Sequence, residues 1–216
     1  LQTNTFRDGT PNDCVSFSVG YDYTGKYTDR CSELLNFLKD IQPTFEDREY
    51  LLTYLSIGLF GNLLELFTIF RGTGQNGISK LITLIEMTFG KYCEHVPSSL
   101  FTHRQPNFDP SNSDLLDLQN KKIIIGSTSK KNMVLNSGSI KFLTRNDCTT
   151  LINDLNELVK FRPNFITIFK CNGLPKIDNF DREICRKMRC IDFPTKFVDD
   201  PNGLNEMKIN YDIDKN

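Results

Sequence analysis

Residues 66–79 run Leu66-Phe67-Thr68-Ile69-Phe70-Arg71-Gly72-Thr73-Gly74-Gln75-Asn76-Gly77-Ile78-Ser79, an apolar stretch that empties into a glycine-rich one. The first half, Leu66 to Phe70, is short and rich in β-formers, and it predicts a buried strand. The second half differs by one residue from the phosphate-binding pattern G-x-x-x-x-G-K-[ST], with Ile78 where the pattern has lysine. Glycine matters here because backbone N–H groups can converge on an anion at a helix N-terminus only where no Cβ intervenes. Ser79 keeps the hydroxyl that reaches a magnesium ion in such loops. Lys80 comes next, but adjacent helical residues point about 100° apart, so its charge is directed away. Leu81, Leu84, Ile85 and Thr88 predict one face of the helix that follows, closed by Gly90.

Outward from this unit the pattern alternates. Upstream, residues 1–30 are polar and turn-rich, with signals at Asp8-Gly9, Pro11-Asn12-Asp13 and Tyr23-Thr24-Gly25. Leu34, Leu35, Phe37, Leu38 and Ile41 fall at helical spacing before Pro43. A second helix is expected from Thr44 through Tyr50, Leu51, Tyr54 and Leu55, with Glu46 and Asp47 favouring its first turn and Gly58 and Gly61 loosening its end. Downstream, residues 96–120 read mostly as loop, with a short helix around Asp114–Leu118. Lys121 to Gly126 and Phe165 to Phe169 read as buried strands, Ile140–Leu143 as part of a hairpin or strand, and Thr149–Val159 as a helix. A short charged helix over Asp181–Arg189 and a strand at Cys190–Phe193 close the pattern. Strands alternating with helices predict a three-layer α/β domain, a mostly parallel sheet of about five strands behind a helical lead-in. The expected division is a lead-in over residues 1–44 and the α/β unit over 45–216.

Bulk properties narrow the classes. Net charge is −1, so no overall basic field points to nucleic acid, and any contact with it must be local. No stretch approaches the roughly 18–20 consecutive apolar residues of a membrane span. Seven cysteines lie without C-x-x-C spacing or partner histidines, which argues against zinc or a disulfide framework and for a reducing compartment. Leu1 and the polar closing stretch carry the expectation of a domain excised from something longer.

Other residues are candidates for chemistry. A phosphate-cleaving motor carries a carboxylate at the end of the strand next to its loop. Here Ser127, Thr128, Ser129 and Lys130 stand there instead, and Asp114 and Asp117 precede the strand. Asn172, beyond a central strand, lies where ligands bind in open α/β sheets and would orient water near a terminal phosphate; a plain turn former is the alternative. The 181–189 run is either a solvated, ion-paired helix or the bearer of an arginine finger, Arg186, suited to phosphate by its planar, permanent charge. Lys130, Lys131, Lys141 and Arg145 form a local basic cluster that would touch a DNA backbone or simply be solvated.

Taken in order, these segments resemble the superfamily 3 helicase domain, an AAA+ type ATPase, of the poxvirus-type primase-helicases of large cytoplasmic DNA viruses and related phages. The similarity spans roughly residues 45–200: Glu46 to Leu51, Leu59-Phe60-Gly61, Gly72 to Gly77 (family pattern G-x-G-x-N-G-K-S), and Leu135-Asn136. It continues through Ile140 to Asp147, Phe161 to Phe165, Cys171 to Ile177, Asp181 to Arg189 and Phe193 to Phe197. The resemblance implies a hexameric ring of identical subunits around DNA, with ATP and Mg²⁺ between subunits and a primase module as a possible companion in the same chain. It implies a nucleotide site at Gly72, Thr73, Gly74, Gln75, Asn76, Gly77, Ile78, Ser79 and Lys80, with Ser79 toward the metal. Asn172 matches the polar sensor and Arg186 the finger as catalytic residues, Lys141 and Arg145 lie in the DNA-contacting segment, and the host cytoplasm is the implied location. The chain departs from the family at Ile78 for the lysine, Thr128 for the acid, Lys187 for a second arginine and Cys185 for an aromatic. Two readings follow: a helicase-like ATPase, or a catalytically inactive relative kept for assembly, DNA holding or partner docking.

Overall fold

The computed structural model describes residues 7–13, 15, 17–22, 30–60, 64–102, 113–130, 132–153, 155, 157–198 and 214–215. The expected turn at Tyr23-Thr24-Gly25, Gly61, Lys131 and most of the polar closing stretch lie outside these residues. Helices α1 (Arg30–Ile41) and α2 (Phe45–Phe60) lead into β1 (Phe67–Arg71) and α3 (Ile78–Phe89). Then come β2 (Cys93–Val96), α4 (Ser99–Thr102), α5 (Ser113–Leu116), β3 (Ile123–Thr128), β4 (Val134–Leu135) and α6 (Ser137–Thr144). The chain continues through β5 (Thr149–Ile152), β6 (Leu158–Phe161), β7 (Ile166–Cys171), β8 (Lys176–Ile177), α7 (Arg182–Lys187), β9 (Met188–Asp192) and β10 (Lys196–Phe197).

Five strands form one sheet in the order β2-β3-β7-β1-β9, every neighbouring pair parallel. Strands β1, β3 and β7 read as unbroken apolar runs because both of their faces are covered. Side chains alternate between the two layers as the pleat requires. Phe70, Ile123, Ile125, Ile166 and Ile168 join one core with α1, α2 and α3, while Phe67, Ile69, Ile124 and Phe169 join a second core with α4, α5, α6 and α7. The buried Tyr54 of α2 donates its hydroxyl to the Thr167 carbonyl at 2.8 Å, fixing that helix across the sheet.

Several expectations are corrected. Ile140–Leu143 is neither hairpin nor strand: it belongs to α6, whose Asn136 cap accepts from the Ser139 amide at 2.9 Å. Thr149–Val159 is not a helix but the antiparallel pair β5–β6. Leu151 is buried there, while Leu155 and Leu158 are exposed, so the apparent helical face is never used. The Asn153 side chain accepts from the amides of Leu155 and Glu157 and turns the chain, and β-branched Thr149, Thr150, Ile152 and Val159 suit the strands. The fifth sheet strand is β2, a half-polar edge strand without an apolar run. On α3 the buried face is Ile78, Leu81, Ile82, Ile85 and Phe89, with Leu84 and Thr88 turned outward. Of the α1 apolar residues only Leu38 and Ile41 are buried, and Leu34 and Leu35 are exposed. Gly58, expected to loosen the end of α2, lies within the helix and packs on Ile123. Among the described residues no helix is long and apolar enough to cross a membrane.

Candidate functional site

The loop between β1 and α3 is shaped by contacts as much as by its glycines. The Gly72 amide donates to the Cys171 carbonyl at the end of β7, and the Gln75 carbonyl accepts from the Phe197 amide at 2.7 Å. Between them Gly74, Gln75 and Gly77 take φ values of 101°, 52° and 82°, turning the chain back on itself before α3 begins. A Cβ on Gly72 would fall 1.5 Å from the buried Asn76 amide nitrogen, which has no hydrogen-bond partner among the described residues. A Cβ on Gly77 would fall 2.3 Å from Ile41 of α1. That helix is stitched over the loop: Gln42 donates to the Asp192 carbonyl at 2.8 Å, and Thr195 donates its hydroxyl to the Asp40 carbonyl.

These elements enclose a cavity of about 470 Å³ at the carboxyl end of the sheet. Of the predicted nucleotide residues, Gly72, Gly74, Gln75, Asn76, Gly77, Ile78, Ser79 and Lys80 line it, and Thr73 does not. Asn172 lines it as well, together with Phe37 of α1 and Phe197 of β10. The Gly77 cap of α3 offers no side chain, and the Asn76 side-chain oxygen accepts from the Ile78 amide at 3.4 Å, so the Ser79 and Lys80 amides of the first turn are the ones that can face an anion. The Ile78 side chain is turned into the core. Arg71, at the foot of the loop, is engaged by Asp192 in paired hydrogen bonds.

The cavity holds one charged group that the sequence reading passed over. Lys170, the fifth residue of β7, places its ammonium 2.7 Å from the Ser79 hydroxyl. The signal was present: Ile166, Ile168, Lys170 and Asn172 share one parity, and the two isoleucines pack against the α3 layer. A cation at this site comes from the neighbouring strand of the sheet rather than from the loop or its helix.

The metal side of the site looks different. Thr128 does end β3, opposite Cys171, but its hydroxyl accepts from the Lys130 amide, and Asp117 is exposed ahead of the strand. No carboxylate is among the described residues lining the cavity. Divalent magnesium is held by oxygen ligands, usually including a carboxylate, and the Ser79 hydroxyl here already meets an ammonium. The residues fit a polyanion such as a nucleotide phosphate chain, and they do not fit magnesium.

The remaining candidates lie elsewhere. Lys141 and Arg145 line a second cavity of about 480 Å³ beside α6. Lys141 is held by Asp181 and Glu183 at 2.5 and 3.0 Å, and these contacts, Asp181 first, raise its pKa. Arg145 lies 4.5 Å over the Phe142 ring, with its buried Nε unpartnered among the described residues. Arg186 is exposed on α7, two residues before β9 starts, hence at the amino end of the sheet and away from the loop.

No known family profile matches the sequence. A helicase-named protein of Acanthamoeba polyphaga mimivirus, L207/L206, is 32% identical over 211 residues, covering 96% of this chain and 22% of that protein. The helicase-named 184R of Invertebrate iridescent virus 6 is 29% identical over 219 residues, with 96% and 23% covered. C962R of African swine fever virus bears a primase name and is 28% identical over 181 residues, with 81% and 19% covered. The apo structure of the NrS-1 C-terminal region shares the fold, with a TM-score of 0.57 at 13% identity over 84% of this chain and 42% of that one. The chain spans about a fifth of the length of these viral relatives. It is similar over nearly its whole length to one segment of these helicase- and primase-named proteins of large DNA viruses.

Proposed function

We propose that the chain is a nucleotide-holding module of a viral DNA-replication helicase, acting in a ring assembly at the host-cytoplasmic replication site, and that it does not hydrolyse the nucleotide it holds. One observation carries this reading: the loop retains an anion-binding form, yet no carboxylate lines its cavity among the described residues. A hydrolytic site needs a group to activate water and another to carry charge in the transition state, and each such loss typically costs several kcal/mol of barrier. In this reading Asn172 holds the terminal phosphate rather than an attacking water. Lys141 and Arg145 contribute sequence-blind contacts to a DNA backbone, and Arg186 reaches the nucleotide of a neighbouring copy.

The test is paired. The fluorescent nucleotide mant-ATP is expected to bind the chain, while phosphate release from ATP stays at background with or without single-stranded DNA. Turnover above background that disappears on Arg186→Ala would overturn the non-hydrolysing reading in favour of a working motor. Absence of binding at millimolar nucleotide would overturn the nucleotide reading altogether.

A further inference from the structure

We infer that Lys170 takes the place of the divalent cation at this site, so that the loop binds the triphosphate chain of a metal-free nucleotide. The inference rests on the nucleotide reading above and names the ionic form that the site selects. In a phosphate loop the serine hydroxyl reaches the metal and the loop lysine faces the outer phosphates. Here the Ser79 hydroxyl is 2.7 Å from the Lys170 ammonium, and the side chain at the loop's lysine position is buried in the core. The ammonium has no carboxylate partner among the described residues. It lies at the positive end of α3, an arrangement that repels the charge it carries. A cation held there without a counter-ion leaves a place for a polyanion. Strand β7 makes this possible by parity: the alternation that sends Ile166 and Ile168 into the α3 layer sends Lys170 to the first turn of that helix, and Asn172 follows on the same side.

A phosphate chain between the α3 amides and this ammonium meets positive charge without metal. Magnesium would then act against binding, by cancelling charge on the nucleotide and by competing with the ammonium for the Ser79 oxygen. Ordinary loops show the opposite dependence, because their metal bridges the phosphates to the protein.

The experiment is a mant-ATP titration of the 216-residue chain in EDTA and in magnesium chloride. Wild type is expected to bind at least as tightly in EDTA as in magnesium. Lys170→Met should weaken binding about tenfold or more, the scale of one charged hydrogen bond. Lys170→Arg should recover most of that loss, and unfolding curves of both variants check that the fold is kept. Ser79→Ala, which removes the oxygen for which magnesium competes, should reduce the difference between the two buffers to what charge cancellation on the nucleotide alone produces. Binding that requires magnesium, or a folded Lys170→Met as tight as wild type, would overturn the inference and leave the nucleotide reading standing. A wild-type chain that binds in neither buffer would overturn both.

Discussion

Ile78 occupies the position where phosphate loops carry lysine, and its side chain has become structural. It is 1% exposed and packs among the buried residues of α1, α2 and α3. Ile78→Ala is therefore expected to lower unfolding free energy by about 2–4 kcal/mol in urea titrations. A loss below about 1 kcal/mol would show that the position is not part of the core. Gly77 answers to two constraints at once, a φ of 82° and Ile41 immediately above it. Gly77→Ala should cost roughly 2 kcal/mol or more from left-handed strain and overpacking together, read from the same titrations. At this scale the sequence was partly legible. The glycines announced the turn, but the reason each must be glycine, Asn76 beneath one and Ile41 above the other, comes from residues distant in sequence or folded back in the loop.

Elements buried on both faces were legible because continuous apolar runs such as Ile123-Ile124-Ile125 have few other homes. Those decided by turns or edges were not. Leu151, Leu155 and Leu158 mimic a helical face, yet one Asn153 side chain bonded to two later amides makes the segment a hairpin, and β2 hides at a half-polar edge. The same local chemistry sets α7. Asp181 caps it by accepting from the Ile184 amide at 2.9 Å and also receives the Lys141 ammonium at 2.5 Å. These bonds, the amide first, hold its carboxyl below the usual range. A depressed folded-state pKa gives stabilisation that is complete above the ordinary carboxylate value, about 4, and is lost as pH falls through the depressed one. Asp181→Asn keeps a capping oxygen and removes the ion pair. The variant should melt below wild type at neutral pH, and the gap should narrow over the acid interval below about pH 4. A gap of constant size across that interval would assign the difference to the cap alone.

For the whole molecule the polarity of the sheet decides which residues can act together. All five strands run the same way, so Gly72, Thr128, Lys170 and Asn172 gather at the carboxyl edge, and Arg186 lies at the amino edge. Strand β9 begins at Met188 beside Phe67, and the loop begins only after Arg71, about 16 Å further along the sheet. Within one copy, then, Arg186 is on the wrong side of the sheet to meet a nucleotide in the loop. A ring is the simplest geometry that would bring it to one, since head-to-tail contacts offer one edge of each copy to the opposite edge of the next. Arg186→Ala is therefore expected to leave mant-ATP affinity within about twofold at concentrations where sedimentation shows single copies. Where the chain assembles, the same substitution should weaken binding by about tenfold, the loss of one charged contact delivered by a neighbour. If the dilute, single-copy protein loses affinity on this substitution, the finger acts within its own subunit and the head-to-tail arrangement is excluded.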